Sequence, residues 1–225
     1  MFHRLDQAIP PEIYQDDLYF ALQELASRPE VKTILEIGSS DGRGSTKAFI
    51  ERMQNNPECK LFCIESSIGR FELLNNRYRD DSVRCFNVCT IPLPMYMADD
   101  DIAEFYHNYQ TNLNRYSLEQ ILGWKKEEMD YIQSNHIPDN GIEVIMHETG
   151  ITQFDLVLID GSAFTAEAEL SRLYGARYIA LDDVNDIKNW RNYEFLMHNP
   201  DYELEKENRA LRNGYAIFKK VKEGK

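Results

Sequence analysis

The fold of this chain is decided at residues 33–46, which read TILEIGSSDGRGST. A short apolar run leads into three glycines and then into a helical pattern over residues 47–53, so the stretch predicts a strand, a tight turn and a helix. Glycine lets the backbone come close to a ligand, and the first turn of a helix offers free N–H donors. We therefore predict a ligand-binding turn, with Glu36 closing the strand, where its carboxylate can accept a hydrogen bond from a bound polar group.

The glycine spacing differs from that of a dinucleotide-binding fold. Glu36, Gly38 and Gly42 stand in the pattern Glu-x-Gly-x-x-x-Gly. A dinucleotide-binding fold carries Gly-x-Gly-x-x-Gly instead, which holds a diphosphate. A glycine turn with a purely structural role stays open as the alternative.

The composition predicts a single domain, residues 1–225, and excludes several classes of partner. Of the 225 residues, 43% are hydrophobic, which is enough for one core. The formal net charge of −13 repels nucleic-acid phosphates and anionic lipids, so we expect neither nucleic acid nor a membrane as a partner. Since no apolar run approaches ~18 residues, we expect a cytoplasmic protein without a secretory signal.

Four cysteines fall in two pairs, Cys59 with Cys63 and Cys85 with Cys89. Three residues separate the members of each pair, whereas a zinc ribbon uses two. We therefore expect buried, reduced thiols on or beside strands.

Strand and helix patterns alternate along most of the chain. Near-continuous apolar runs are typical of parallel strands that are covered on both faces, and amphipathic stripes predict helices. The predicted strands are residues 33–37, 61–65, 83–88, 154–161 and 177–183, followed by an antiparallel pair at 202–207 and 215–221. The predicted helices are residues 10–27, 47–53, 66–78, 165–174 and 187–198.

A long insertion, residues 91–153, interrupts this alternation between the third and fourth strands. Within it we predict helices at 99–109 and 117–134, while residues 142–146 fit either a short strand or the end of a packed segment. Several tyrosines and one tryptophan, Trp124, lie along the insertion. This pattern favours a lid or substrate wall over the strand ends, or a contact with a second subunit in a homodimer. A helical pair that packs on the edge of the domain is the alternative.

Acidic residues end four of the five parallel strands: Glu36, Glu65, Asp160 and the pair Asp182-Asp183. Ligands of an open parallel sheet bind beyond the carboxyl ends of its strands, so these side chains are the candidate functional residues. At the end of the second strand, Glu65 can accept hydrogen bonds from both ribose hydroxyls of a nucleoside. A helix N-cap is the alternative role for Glu65.

Over most of its length the chain resembles class I S-adenosylmethionine (SAM)-dependent methyltransferases. The resemblance rests on residues 36–42, Glu65, residues 154–161 and residues 178–184, together with the terminal antiparallel pair. It implies an α/β Rossmann-like sheet of seven strands in the order 3-2-1-4-5-7-6, with the helical insertion between strands 3 and 4. The most similar subgroup is that of small-molecule O-methyltransferases, including enzymes that act on macrolide sugars.

The resemblance also implies residue roles. The implied cofactor-binding residues are Glu36, Gly38, Ser39 and Gly42 around the methionine part, Glu65 and Ser66 at the ribose, and Cys89 and Thr90 near the adenine. Asp160, Asp182 and Asp183 match three acids that hold Mg²⁺ in the related enzymes, which makes Asp160 and Asp182 the candidate catalytic residues. Such an ion lowers the pKa of a substrate hydroxyl and orients it. Helix capping and a hydrogen-bonded cleft are the alternatives for these acids.

The resemblance implies methyl transfer from SAM to an oxygen of a small molecule, with a sugar as one candidate. The chain departs from the related enzymes after Asp160-Gly161, where they often carry a histidine or another base and this chain has Ser162-Ala163-Phe164. A catalytically inactive, methyltransferase-like binding protein therefore stays open. An NAD-linked oxidoreductase or epimerase is a further alternative, against which the absent Gly-x-Gly-x-x-Gly pattern argues.

Overall fold

The structure, a computed structural model, describes residues 4–221, so residues 1–3 and 222–225 of the predicted domain lie outside it. Within this range the strands are β1 (Thr33–Ile37), β2 (Lys60–Ile64), β3 (Val83–Phe86), β4 (Leu156–Ile159), β5 (Tyr178–Asp182), β6 (Tyr202–Asn208) and β7 (Tyr215–Lys220). The α-helices are α1 (Asp17–Ala26), α2 (Ser45–Met53), α3 (Ile68–Arg77), α4 (Asp99–Asn108), α5 (Leu118–Ser134), α6 (Gly141–Thr149), α7 (Ala166–Leu173) and α8 (Trp190–Met197).

The strands form one sheet in the order β3-β2-β1-β4-β5-β7-β6, which confirms the predicted order. Neighbouring strands from β3 to β5 pair in parallel, whereas β7 pairs antiparallel with both β5 and β6. The last residues of β1, β2 and β4 lie level with one another in the sheet. The residues that follow them, Gly38, Glu65 and Asp160, therefore leave the sheet side by side at one edge.

Each face of the sheet carries its own hydrophobic core, because side chains alternate along every strand. On β1, Ile34 packs into the core that holds α1, α2 and α3, whereas Leu35 and Ile37 pack into the core that holds α4 to α8. All three side chains are buried. The helices of the insertion thus pack on the sheet itself and share the core of its second face.

The predicted elements differ most from the structure at two places. The helix predicted over residues 10–27 begins only at Asp17, because Asp16 caps it there by accepting a hydrogen bond from the Tyr19 N–H at 2.8 Å. Residues 142–146, for which a strand and a packed segment were both open, are helical and form the middle of α6. A short apolar run fits a buried strand and a buried helix equally well, and here the core of the second face selects the helix.

Among residues 4–221, no helix combines the length and the apolar composition needed to cross a membrane.

The four cysteines are free thiols, of which Cys59, Cys63 and Cys89 are buried and Cys85 is half-buried.

Candidate active site

A cavity of ≈ 370 Å³ opens at the edge of the sheet where the parallel strands end. This volume falls within the range of small-molecule sites, about 300–1,000 Å³. Its walls come from the loops that follow β1 to β5 and from the insertion. Residues 9–13 form a further wall, although the sequence pattern predicts a helix from residue 10 onwards.

The turn after β1 passes close to the backbone at the end of β4. A Cβ atom on Gly38 would lie 2.3 Å from the carbonyl oxygen of Asp160, and the φ of Gly38 is +88°. Gly42 lies against α3 instead, where a Cβ atom would meet the Tyr78 ring at 2.6 Å. Gly38 therefore brings the turn to the cavity, which it lines, whereas Gly42 anchors the turn to the neighbouring helix.

Glu36 supports this turn and is not part of the cavity wall. Its Oε2 accepts hydrogen bonds from Ser39 Oγ and Thr46 Oγ1, both at 2.7 Å. Its Oε1 is buried, with no hydrogen-bond partner in the described chain. Burial raises the pKa of the Glu36 carboxyl, against the effect of the hydroxyls that bond to it. Glu36 thus acts on the cavity through Ser39, which does line it.

Glu65 follows β2, is 7% exposed and lines the cavity. Its Oε1 accepts a hydrogen bond from the Ser67 N–H at 2.7 Å, and its Oε2 accepts one from the Ser40 N–H at 2.8 Å. Burial raises the pKa of this carboxyl, although these two N–H groups and the charge of Arg70 act in the opposite direction. Because each carboxylate oxygen has a second lone pair, Glu65 can still accept hydrogen bonds from a ligand.

The acids Asp160, Asp182 and Asp183 converge at the ends of β4 and β5. Each offers a carboxylate oxygen, and these oxygens all lie within 4.8 Å of one another. Asp183 adopts a left-handed backbone with a φ of 59°, a conformation that Asp tolerates better than most residues. Asp160 and Asp183 line the cavity, whereas Asp182 is 1% exposed and lies outside the cavity wall.

The ammonium of Lys188 lies among these acids. Its Nζ is 2.8 Å from Asp160 Oδ1 and 2.6 Å from Asp183 Oδ2. The guanidinium of Arg212, from the connection between β6 and β7, donates from Nη2 to Asp182 Oδ1 at 2.8 Å. The second oxygen of Asp182 is buried and has no hydrogen-bond partner among residues 4–221. Arg212 also pairs through Nη1 with Asp16, so two cations face four carboxylates.

The electrostatics of the cluster favour a charged lysine. Burial raises the pKa of Asp160 to about 6, although the charge of Lys188 opposes the rise. Burial and the charges of Asp160 and Asp183 raise the pKa of Asp182 well above its usual value. For Lys188 burial alone would lower the pKa, but the three carboxylates outweigh it and raise the pKa well above the usual value. The surrounding carboxylates thus favour the protonated form of Lys188.

Glu128 of α5 links the insertion to the loop after β4. It accepts hydrogen bonds from Tyr96 Oη and Ser162 Oγ, each at 2.8 Å. Burial raises the pKa of its carboxyl, against the effect of these two hydroxyls. All three side chains line the cavity, so one wall is held together by a carboxylate.

Glu169 of α7 is a further buried acid of the cavity. Its Oε1 accepts hydrogen bonds from Thr90 Oγ1 at 2.6 Å and Thr165 Oγ1 at 2.7 Å. Its Oε2 is buried, and no partner for it lies within the described residues. Burial raises the pKa of Glu169 to about 7, against the effect of the two hydroxyls.

The structure brings most of the predicted residues to one site and adds three that the sequence analysis missed. The predicted residues that line the cavity are Gly38, Ser39, Glu65, Ser66, Cys89, Thr90, Asp160 and Asp183. Glu36, Gly42 and Asp182 support it from outside the wall. The residues missed are Glu128, Glu169 and Lys188.

A signal for the two glutamates is present in the sequence. Glu169 stands three residues after Ala166 and one before Leu170, on the buried stripe of α7. Glu128 stands seven residues after Ile121 and four before Ile132, on the buried stripe of α5. An acid in phase with an apolar stripe is the observation that would have identified both.

The strand order and the helices on both faces define the Rossmann-like fold of class I methyltransferases. No protein-family model matches the sequence, and a search of curated proteins finds no match. Solved structures do match.

The chain is similar to a methyltransferase from Geobacter sulfurreducens, with 12% identity over 93% of this chain and 81% of the other, at a TM-score of 0.55. It is similar to the O-methyltransferase from Bacillus cereus in complex with SAH, with 14% identity over 94% and 84% of the two chains and a TM-score of 0.55. It is also similar to the O-methyltransferase TomG from Streptomyces achromogenes, involved in tomaymycin synthesis and in complex with SAM, with 15% identity over 95% and 83% and a TM-score of 0.51. At these identities the similarity establishes the fold.

Proposed function

We propose that this protein binds SAM and transfers its methyl group to an oxygen atom of a small molecule. The observation that carries the proposal is a single cavity that joins the Gly38 turn and Glu65 to Asp160 at the end of β4. A methyl donor held by the first two residues lies beside an acceptor held by the third. The structures from Bacillus cereus and Streptomyces achromogenes, which contain SAH and SAM, support this reading of the fold.

The cofactor side of the cavity fits a nucleoside with a positive charge. Glu65 is buried and keeps acceptor capacity for two ribose hydroxyls. Hydrogen bonds to a buried carboxylate are among the stronger ones in proteins. Asp160, at the opposite wall of the same cavity, adds a carboxyl group that suits a sulfonium cation.

On the acceptor side, Asp160 is the residue to which we assign proton transfer. The bound cofactor supplies an electrophilic methyl group on sulfur. As the acceptor hydroxyl forms its new O–C bond and the C–S bond breaks, the hydroxyl proton passes to the Asp160 carboxylate at the cavity wall. Asp182 contacts Arg212 outside the wall, and we assign it a positioning role in place of the predicted catalytic one. Sugars are the first acceptors to test, because Asp160 and Ser162 can bind neighbouring hydroxyls.

Mg²⁺ does not fit the acid cluster as its side chains lie. The Lys188 ammonium already contacts the oxygens of Asp160 and Asp183 that would bind the ion. A second cation in the same place would be repelled. We therefore leave the metal that the sequence predicted out of the proposed function.

Calorimetric titration with S-adenosylhomocysteine (SAH) tests the cofactor, with NAD titrated as the comparison. We expect saturable binding of one SAH per chain and no heat from NAD; binding of NAD alone would favour the oxidoreductase alternative. Incubation with methyl-labelled SAM and a panel of sugars and other hydroxyl compounds tests the reaction. A chain that binds SAH and labels no acceptor would favour the inactive binding protein.

A further inference from the structure

We propose that the Lys188 ammonium takes the place of a divalent metal ion in the acid cluster, and that it donates a hydrogen bond to the acceptor oxygen. The replacement of the metal concerns side chains of this chain alone and does not depend on any reaction. The contact with the acceptor rests on the proposed function.

Two side-chain cations offset part of the negative charge of the cluster. Three carboxylates whose oxygens lie within 4.8 Å of one another repel strongly unless cations or protons neutralise them. Lys188 bridges Asp160 and Asp183, and Arg212 binds Asp182. Lys188 has a side chain that is only 14% exposed, so its charge acts on the carboxylates with little screening by water.

Lys188 and a divalent ion exclude each other. Mg²⁺ binds carboxylate oxygens at about 2.0–2.1 Å. The Nζ atom lies 2.8 Å from Asp160 Oδ1 and 2.6 Å from Asp183 Oδ2, so an ion between the same two oxygens would occupy the volume of the ammonium. The oxygen Asp182 Oδ2, buried and without a partner in the described residues, would complete a three-oxygen site if the ammonium were removed.

The Lys188 ammonium also has a third N–H group that can donate a hydrogen bond to a ligand. It carries three N–H groups, of which two are used by Asp160 and Asp183. No third partner of Nζ lies within residues 4–221, and Lys188 lines the cavity. An acceptor oxygen beside Asp160 would therefore meet a fixed positive charge, which stabilises the negative charge that develops as its proton leaves.

Titration with Mn²⁺, followed by electron paramagnetic resonance, tests the replacement directly. The proteins are the wild type, Lys188→Met, and Lys188→Met combined with Asp160→Asn. Lys125→Met is the matched control, because the Lys125 side chain is 13% exposed and pairs with Asp99 away from the cluster. We expect no stoichiometric site in the wild type or in Lys125→Met. Lys188→Met should bind one Mn²⁺ at least tenfold more tightly than the wild type, and Asp160→Asn should abolish that site.

One Mn²⁺ bound stoichiometrically by the wild type would overturn the proposal, as would a folded Lys188→Met variant that gains no site. If Lys188→Met does not fold, the wild-type titration still tests whether a divalent ion binds in the acid cluster. Methyl transfer after chelation with EDTA also tests the replacement: the rate should stay within twofold of the untreated rate, and a larger loss that Mg²⁺ restores would refute it. The contact with the acceptor is tested with Lys188→Met in the presence of EDTA, where kcat should fall at least tenfold while the Kd for SAH stays within twofold; a kcat equal to that of Lys125→Met would refute it. Failure of the proposed function would appear as an absence of SAH binding and would leave the Mn²⁺ result unchanged.

Discussion

The backbone of Gly38 packs directly against the backbone of Asp160, with room for no side chain between them. A Cβ atom on Gly38 would lie 2.3 Å from the Asp160 carbonyl oxygen and 2.9 Å from the Cα of Gly161. The turn after β1 and the acid end of β4 are therefore one packed unit. In the proposed function the first holds the cofactor and the second holds the acceptor, so this contact sets the distance between them.

Gly38→Ala should destabilise the protein by at least about 2 kcal/mol, since it adds a Cβ clash to a backbone with positive φ. Urea unfolding measures the change. Gly150→Ala is the control, because Gly150 also has a positive φ, of +68°, but no atom lies within 4 Å of its Cβ position. We expect the control to lose only about 1 kcal/mol, from backbone strain. If the free energy of unfolding falls equally in the two variants, the Cβ clash at Gly38 adds nothing to the effect of backbone strain.

Glu65→Ala should weaken SAH binding by ~1.5–3 kcal/mol, roughly 10- to 150-fold in Kd, which is the range for a hydrogen bond to a charged group. It should also lower stability, because the N–H groups of Ser40 and Ser67 lose their acceptor. Calorimetry at a temperature where the variant is folded separates the two effects. Glu58→Ala serves as the control, since Glu58 is exposed and pairs with Lys32 before β2. An unchanged Kd for the folded Glu65 variant would refute its role at the ribose.

The sequence predicts the sheet and its acidic edge well because both follow from local patterns. Apolar runs mark the parallel strands, and the acids Glu65, Asp160 and Asp183 stand directly after three of them. Parallel pairing then places these acids at one edge without any further information. The packing of the loops decides which of these acids line the cavity. Sequence position alone therefore does not show that Glu36 and Asp182 lie outside the cavity wall.

The cation of the cluster could not be predicted because its position depends on tertiary structure. Lys188 stands five residues after Asp183, in a segment whose pattern fits the start of a helix, where a lysine is normally solvated. Helix α8 begins only at Trp190, and the loop before it directs Lys188 to the acids. In the same way, nothing in the sequence of residues 9–13 indicates that they line a cavity, because their position there depends on where β1 places its turn.

Glu169→Gln should change how stability depends on pH. Burial raises the pKa of Glu169 to about 7 from an ordinary value of 4.5, and the groups around it are Thr90, Thr165, Glu128 and Lys188. The folded protein therefore keeps a proton that the unfolded protein loses, so this group's contribution to stability is complete below pH 4.5 and is lost as the pH rises through 7. At ~1.4 kcal/mol for each pH unit, the loss is about 3 kcal/mol.

Urea unfolding between pH 4.5 and pH 8 measures this effect. Relative to the wild type, the Gln variant should gain stability progressively as the pH rises, because an amide has no proton to lose in this range. Glu104→Gln, at an exposed position of α4, is the control and should run parallel to the wild type. A Glu169→Gln curve that also ran parallel to the wild type would show that this carboxyl titrates alike in the folded and unfolded states.

Glu128 connects the insertion to the catalytic edge of the proposed active site. It accepts hydrogen bonds from Tyr96, at the start of the insertion, and from Ser162, two residues after Asp160. These contacts bear on the prediction that the insertion serves as a lid or substrate wall, because they fix α5 to the loop that carries the acceptor side of the cavity.

Glu128→Ala should loosen that connection while leaving the cofactor side intact. The buried hydroxyl of Tyr96 and the half-buried hydroxyl of Ser162 lose their acceptor, so we expect a loss of about 1–3 kcal/mol in the free energy of unfolding. Hydrogen exchange should quicken in α5 and in the loop after β4, since opening there no longer breaks the two bonds. The affinity for SAH should change by less than twofold. Gln133→Ala, an exposed position on the same helix, is the control and should leave exchange unchanged. If exchange in the two variants is the same, Glu128 does not hold the insertion in place, and the packing of α5 on the sheet does so alone.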